Sequence, residues 1–588
     1  MKNHKFEYSR LALLARIFYV AVGLIALKLC EMQVIYGDWY RRAAERNRTQ
    51  VIFQTAPRGR IIDRNGQLVA TNRSSFNLIF LPGKKTDWQY LQKLARELSP
   101  YLAQKPEQIL SVLKDAHYHK IPVRLAENLG RQTMFRLAEL KTLFPGVDLV
   151  LEARRFYPRG RFASHLLGYM GEMDPRHWRI LRQRGDYRQD VRIGKRGLEE
   201  LFEQELKGEE GGLHLEVDAQ GRLQRVLRTD PWTPGNDIIV TLDADLQQVA
   251  EDALRASPSG AGAVVAMDPF SGDILVLASV PDYDPNLFLQ PRTPEVQEAL
   301  RKIPEFNLAI QGSYPPGSIF KIITLLAAFD SGRASPEVSY RCPGYYTFGT
   351  RTFRCWKKGG HGALDMAGGL VHSCDVYFYQ LALKTGALVI ENYARQFRIG
   401  QVTHFPIGAE SGGNAFGPFS ASQKGQRWAE GDTLNLAIGQ GELLVTPMQM
   451  AQMIAAVANG GTLWRPRLVR QIRSPAGQSL FKQRIEVLGT VQAGKGSWDF
   501  LRSSLVKVVE EGTGHSSYIA GLEIGGKTGT AQNPLGEDHA WFVAYGGEPG
   551  APPKIAVAVL VQHGGHGSVA AAPVARKIIS RMLSRPQS

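Results

Sequence analysis

The sequence predicts an α+β protein with at least two domains behind a single apolar N-terminal helix. Three observations predict it. The chain has 588 residues, more than one core usually holds. Its first apolar run, Leu11 to Leu29, is long enough to cross a bilayer. Strand-like runs at both ends of the segment 236–588 bracket helical ones, the pattern of a sheet that joins strands distant in sequence. Composition excludes little, since 44% apolar and 21% charged residues are ordinary for a globular protein.

The N-terminal run reads "LALLARIFYVAVGLIALKL". Arg16 and Lys28 lie toward its ends, where long basic side chains reach the interface. Lys2, Lys5 and Arg10 precede it and favour a cytoplasmic N-terminus. "CEMQVIYGDWY" follows without a small-x-small cleavage pattern, so the run reads as an uncleaved anchor rather than a signal peptide. With no second span in view, the remaining mass is expected outside the cytoplasm. The expected division is a tail over 1–10, an anchor over 11–31, a middle region over 32–235 and a C-terminal domain over 236–588. The net charge is +16. The basic residues are scattered and no nucleic-acid-binding signature accompanies them, so no nucleic-acid partner is expected. An anionic lipid surface or an acidic wall polymer suits that charge equally well.

Asn65-Gly66 between Ile61-Ile62 and Leu68-Val69 predicts a hairpin. "WQYLQKLARELSPYLA" predicts a helix in a region without a catalytic constellation. "TPGND" punctuates the chain before a strand at Ile238–Leu242. "DADLQQVAEDALRAS" predicts an amphipathic helix, and "GAVVAMDPFSGDILVLASV" a strand, turn and strand. "HAWFVAYGG" and "KIAVAVLVQ" predict two more strands, and "APVARKIISRMLS" a closing helix.

The chemistry centres on "SYPPGSIFKIITLLAAF". Prolines and a serine before an apolar helical run signal a helix start, and positions i and i+3 share a helix face. Ser318 and Lys321 are therefore expected side by side. A serine hydroxyl needs an adjacent base, and a buried lysine can be one because desolvation disfavours its ammonium form. The spacing alone is weak: Ser111/Lys114, Ser479/Lys482 and Ser504/Lys507 share it. Ordered company singles out Ser318. Ser373 and Asp375 follow in "VHSCDVYFYQ", and Lys527, Thr528, Gly529 and Thr530 in "IGGKTGTAQ", an S-x-x-K, S-x-D, K-T-G series within one domain. A second Lys-Thr-Gly, at Lys384–Gly386, reads as a helix stop instead.

With "RGRIIDRNG", "PFSGDILVLASVPDYDPNLF", "YPPGSIFK", "AIGQGELLVTPMQMA" and "KTGTAQ", the chain resembles the class B penicillin-binding proteins, in particular their elongation-type branch. The resemblance spans nearly the whole sequence. It implies a pedestal over 32–235 and a transpeptidase domain over 236–588, with a mainly antiparallel sheet flanked by helices. It implies a peptidoglycan D,D-transpeptidase in the bacterial inner membrane with a periplasmic catalytic domain. Ser318 would attack the penultimate D-Ala carbonyl of a stem peptide, with Lys321 as its base and Ser373 as a proton relay. Asp375, Lys527, Thr528, Gly529 and Thr530 would hold the substrate, and the Ser318 and Thr530 N–H groups would form an oxyanion hole. It implies β-lactams as ligands, and a polytopic glycan polymerase and elongation-complex proteins as partners. It implies no organic cofactor. Asp375 departs from the broader family, where Asn is usual, and puts a carboxylate in the cleft.

Of four cysteines, Cys30 lies beside the anchor. Cys342, Cys355 and Cys374 cluster in sequence with His361. Three readings stay open. Three thiolates and one imidazole complete a tetrahedral structural zinc shell, which the odd thiol favours. The second is a Cys342–Cys355 disulfide with Cys374 free, and the third is free thiols throughout.

Overall fold

The N-terminal run forms a helix over Asn3–Cys30 that starts well before its apolar segment. Among the described residues one helix, Leu11–Ile35, is long and apolar enough to cross a membrane. Its large apolar side chains are exposed, as those of a lipid-facing helix are. The computed structural model describes residues 3–41, 49–82, 86–102, 104–119, 123–144, 146–184, 187, 191–217, 223–534 and 536–584. Lys2, counted with the anchor's basic flank, lies outside the described residues.

The chain forms two compact units. One holds residues 1–57, 73–154 and 208–234. In it the helices Trp88–Leu102 and Pro106–His119 bury Leu91, Leu94, Leu98, Ile109 and Leu113 with Leu78 and Phe80 of a strand that pairs antiparallel with Val123–Ala126. Thr49–Gln54, Gly211–Val217 and Leu223–Asp230 form a separate three-stranded sheet.

The other unit holds 58–72, 155–207 and 235–588. The hairpin expected around Asn65-Gly66 is there, since Ile61 pairs with Ala70. Its loop is longer than a two-residue turn because the Asp63 carboxylate accepts from the N–H groups of Asn65 and Gln67. The Ile61-Ile62 strand runs parallel to Asp237–Val240.

The site rests on a five-stranded sheet. Helix α1 (Ala244–Arg255) is capped by Asp243, whose side chain accepts from Asp245 N and Leu246 N. Strands β1 (Gly262–Met267) and β2 (Ile274–Val280) follow. Then come α2 (Lys321–Asp330), α3 (Met366–Val371), α4 (Asp375–Thr385), α5 (Pro447–Asn459) and α6 (Lys495–Glu510). Strands β3 (Glu523–Ala531), β4 (His539–Gly547) and β5 (Ile555–Val561) precede the last helix, α7 (Ala572–Leu583). The order is β2-β1-β5-β4-β3, antiparallel throughout. Both faces are covered. Leu246, Leu254, Val574, Ile578 and Ile579 of α1 and α7 pack with Val264, Phe542 and Val559 on one face. Val265, Trp541, Val543 and Leu560 face the cluster that includes α2 and α5. This double burial explains why the strands read as continuous apolar runs. Strand β3 is the sheet's edge, so alternate backbone groups along it have no strand partner.

Candidate active site

Ser318 does not open an α-helix. It sits in a 3-10 turn, Gly317–Phe320, and α2 begins at Lys321. The expected serine cap is absent, for a tertiary reason. Gly317 has φ +56°, and a Cβ there would lie 2.4 Å from the Thr530 carbonyl oxygen. Its N–H donates to Gly439 O at 2.9 Å. The turn is thus wedged between β3 and the Gly439 loop, and only glycine fits. Ile319 and Phe320 are buried, while Ser318 keeps partial exposure.

Lys321 is fully buried and reaches across the cleft. Its Nζ donates to Ser373 O at 2.8 Å and lies 3.4 Å from Ser373 Oγ and 2.7 Å from Asp375 Oδ1. Its hydrogen-bond partners are therefore on the Ser373 wall, not on Ser318, its expected neighbour. Ser373 has φ +53°, unusual for a residue with a Cβ and a cost of about 1 kcal/mol. That conformation directs its carbonyl at Lys321. Asp375 is the first residue of α4, where the helix dipole favours a carboxylate. Its second oxygen accepts from Trp356 N at 3.0 Å.

Lys527 is also fully buried, on β3. Burial first, and then the neighbouring Lys321, push its ammonium well below the usual lysine range, while Asp375 opposes them. Thr528 Oγ1 donates to Thr513 Oγ1 at 2.9 Å. A Cβ on Gly529 would lie 3.0 Å from Pro316 O and 3.1 Å from Trp541 Cβ, so the strand passes close to the turn that carries Ser318. Thr530 O accepts from Gln440 Nε2 at 3.3 Å, and Thr528 O from Lys527 Nζ at 3.3 Å. Both carbonyls therefore point off the sheet edge, and the N–H groups of the same residues point the same way.

The structure thus gathers Lys321, Ser373, Asp375 and Lys527 into one buried cluster, bordered by Ser318 and by Thr528–Thr530. Lys384 lies elsewhere, in the last turn of α4 before Gly386 at φ +89°. Ser504 is buried and donates to Phe500 O within α6. Ser479 lies on an exposed strand and Ser111 on the helix Pro106–His119. Sequence reasoning missed Thr513, Gln440 and Trp356. The glycines of "EGTG" and "GQG" were the only local signal. Gly512 shows why they matter, since a Cβ there would lie 2.5 Å from Val371 O.

Beside this cluster, Cys342, Cys355, His361 and Cys374 bring one donor atom each to within 4.8 Å of one another. His361 Nδ1 lies 3.5 Å from Cys355 Sγ and 3.7 Å from Cys342 Sγ. All three cysteines are free thiols, so the Cys342–Cys355 disulfide is not formed. The donor set fits a soft divalent metal: three buried sulfurs and an imidazole, with no carboxylate among them. A hydrogen bond with Cys374 draws the Cys355 thiol down to about 5, so one sulfur is readily a thiolate.

Residues 262–580 match the penicillin-binding protein transpeptidase domain, and 53–240 the penicillin-binding protein dimerisation domain. The chain belongs to the penicillin-binding protein transpeptidase family. It is 32% identical to the peptidoglycan D,D-transpeptidase MrdA of Acinetobacter baumannii, over 95% of this chain and 86% of that one. It is 30% identical to MrdA of Escherichia coli K12, over 95% and 92%. Among solved structures it is similar to PBP2 of Pseudomonas aeruginosa in complex with WCK 5153, with a TM-score of 0.66 and 29% identity over 91% of this chain and 97% of that one. It is also similar to PBP2 of Helicobacter pylori in complex with MreC, with a TM-score of 0.76 and 25% identity over 91% and 98%.

Proposed function

We infer that this chain is a peptidoglycan D,D-transpeptidase that cross-links stem peptides during cell elongation through an acyl-enzyme on Ser318. The observation that carries this is one partly open serine bordering a buried Lys321–Ser373–Asp375 cluster, beside an edge strand with backbone groups turned outward. An extended peptide ending in D-Ala-D-Ala lies along such an edge as an added strand. Its terminal carboxylate meets Thr528 and the Lys527 side. Ser318 Oγ attacks the penultimate carbonyl, and its proton passes to Lys321. The N–H groups of Ser318 and Thr530 stabilise the oxyanion. As the C–N bond breaks, Ser373 delivers a proton from Lys321 to the leaving D-Ala amine. A stem amine then attacks the ester and frees Ser318 Oγ. A β-lactam presents the same carbonyl and carboxylate and leaves an ester on Ser318.

The cysteine–histidine set holds a structural zinc in this reading. Such an ion ties the segment after α2 to the N-terminus of α4 and supplies no reaction step. Its protein-side consequence runs through Trp356, next to Cys355, whose N–H holds Asp375. The anchor is membrane-spanning, with a pedestal over 32–235 and the transpeptidase domain over 236–588 outside the cytoplasm. A polytopic glycan polymerase and elongation-complex proteins are its partners; the similar Helicobacter pylori protein was solved with MreC.

The test is labelling with fluorescent penicillin and peptide mapping of the wild type, Ser318→Ala and Ser504→Ala. An adduct on Ser318, lost only in Ser318→Ala, is expected. An adduct on Ser504 would overturn the assignment. Incubation with donor and acceptor stems should then yield cross-linked dimers; trimmed monomers alone would make the enzyme a carboxypeptidase.

A further inference from the structure

The cysteine-stapled lobe beside the cleft carries a charge pattern that stapling does not require. Residues 338–364 contain five cations, Arg341, Arg351, Arg354, Lys357 and Lys358, and no Asp or Glu. All five are exposed, and none forms an ion pair among the described residues. Two large rings stand with them in solvent: Trp356 is 60% exposed and Tyr345 53%. Tyr345 sits directly opposite Arg354 in its hairpin, on the outer face, while Tyr346 and Phe353 pack inward.

The platform is stiff. Cys355 N donates to Gly344 O at 2.9 Å, and His361 N to Cys342 O at 3.1 Å. Two turns interlock through glycines. A Cβ on Gly344 (φ +101°) would lie 2.3 Å from Lys358 O, and one on Gly360 (φ +75°) 2.2 Å from Cys342 O. The platform is also joined to the reacting groups. Trp356 N donates to Asp375, and its indole N–H to His372 O at 3.2 Å. The residue that donates its backbone N–H to Asp375 therefore immediately precedes the first lysine of the patch.

Resting on the transpeptidase reading, we propose that this lobe is a docking surface for the acceptor strand, an uncross-linked glycan whose stem peptides carry carboxylates. Charge complementarity supports it, because stems are acidic along their length and the lobe is wholly basic. Trp356 and Tyr345 supply flat apolar faces beside the cations, suited to sugar rings and peptide planes. A rigid surface binds a flexible strand without ordering costs of its own. Its place beside Asp375 favours the wall polymer over lipid, since a strand held there delivers its amine to the acyl-ester at Ser318.

The experiment uses the full chain in detergent and two probes. One is soluble uncross-linked glycan bearing pentapeptide stems; the other is fluorescent penicillin. The double variant Lys357→Glu/Lys358→Glu should weaken strand binding at least tenfold at low salt and flatten its salt dependence. Its penicillin acylation rate should stay within twofold of wild type, which also reports an intact fold. Lys357→Gln/Lys358→Gln should give a smaller loss in the same direction. Lys482→Glu/Arg484→Glu, the same charge change on another exposed hairpin, should change strand binding less than twofold. Strands with amidated stem carboxylates should bind the wild type as weakly as plain strands bind the double variant.

Equal weakening by the control pair would overturn the proposal, as would unchanged strand binding. So would lysine-dependent binding to phosphatidylglycerol vesicles without binding to strands, which would make the patch a membrane contact. Loss of acylation in parallel with binding would make the lobe merely structural. Failure of penicillin to label the wild type at Ser318 would instead sink the transpeptidase reading itself.

Discussion

Two buried charge clusters in the same unit are built on opposite principles. In the first, Arg58 and Arg155 face Glu199 and Glu203. Arg58 Nε and Nη2 donate to Glu199 and Glu203 at 2.6 Å each, and Arg155 Nε to Glu199 at 2.6 Å. Tyr157 OH also donates to Glu199, and Gly194 N to Glu203. Two cations meet two anions. Burial presses Arg58 down, but Glu203 and Glu199 outweigh it and hold the guanidinium above its ordinary value. In the second cluster, Lys321 is ion-paired to Asp375, and Lys527 is buried close enough to feel both. Burial first, and then the second cation, depress Lys527. A balanced network locks a fold, whereas an unbalanced one keeps a proton mobile.

Breaking each cluster separates these roles. The largest effect is expected from Lys321→Ala, which should cut the penicillin acylation rate about 10²–10⁴-fold, the usual worth of a positioned base. Its melting temperature should fall as well, but less than that of Glu199→Ala, because Lys527 remains near the Asp375 carboxylate. A variant that acylates normally would remove Lys321 from the mechanism. Glu199→Ala should do the reverse. Leaving Arg155 without a carboxylate, and Arg58 with Glu203 alone, should cost about 3–5 kcal/mol in urea unfolding, with acylation by the folded fraction retained.

Stripping metal from the purified chain with a strong chelator, or substituting Cys374→Ser, should lower both stability and acylation. Elemental analysis should find one zinc per chain in the wild type and a deficit in the variant. A metal-free, fully active wild type would refute the zinc reading. The acylation loss should be about tenfold, because Asp375 keeps Lys321 but loses the fixed Trp356 N–H.

The smallest effect sharpens the rule. Glu251 is buried with two hydrogen bonds, from Ala163 N and Gln247, and with Arg255 at 3.3 Å. Burial raises its carboxyl to about 7. A raised acid favours the folded state below the unfolded value of about 4.3, and that advantage is lost as pH climbs to 7. Glu251→Gln should therefore raise stability by roughly 2 kcal/mol at pH 8 and by nothing at pH 4. A gain that is constant with pH would place its origin in packing instead.

The order of motifs singled out Ser318 from its three look-alikes, and helix-stop chemistry set Lys384 apart, because both arguments are local. Thr513 and Gln440 were invisible. Their partners, Thr528 and Thr530, lie 15 and 90 residues away, and no periodicity reports such contacts. The four metal-type ligands were legible as a set. That their donor atoms converge to within 4.8 Å was not, because it depends on packing between segments up to 32 residues apart.

By itself, the sequence determined the elements: an apolar helix at the start, alternating strand and helix runs, and a nucleophile series in a fixed order. Those follow from periodicity, turn residues and spacing, which act over a few residues. Only the tertiary structure decided what the groups touch. Gly317 against the Thr530 carbonyl turns the expected helix cap into a 3-10 turn, and the left-handed Ser373 draws Lys321 to the opposite wall. Both depend on surfaces that meet only when distant segments pack, because van der Waals exclusion and burial act through space and not along the chain.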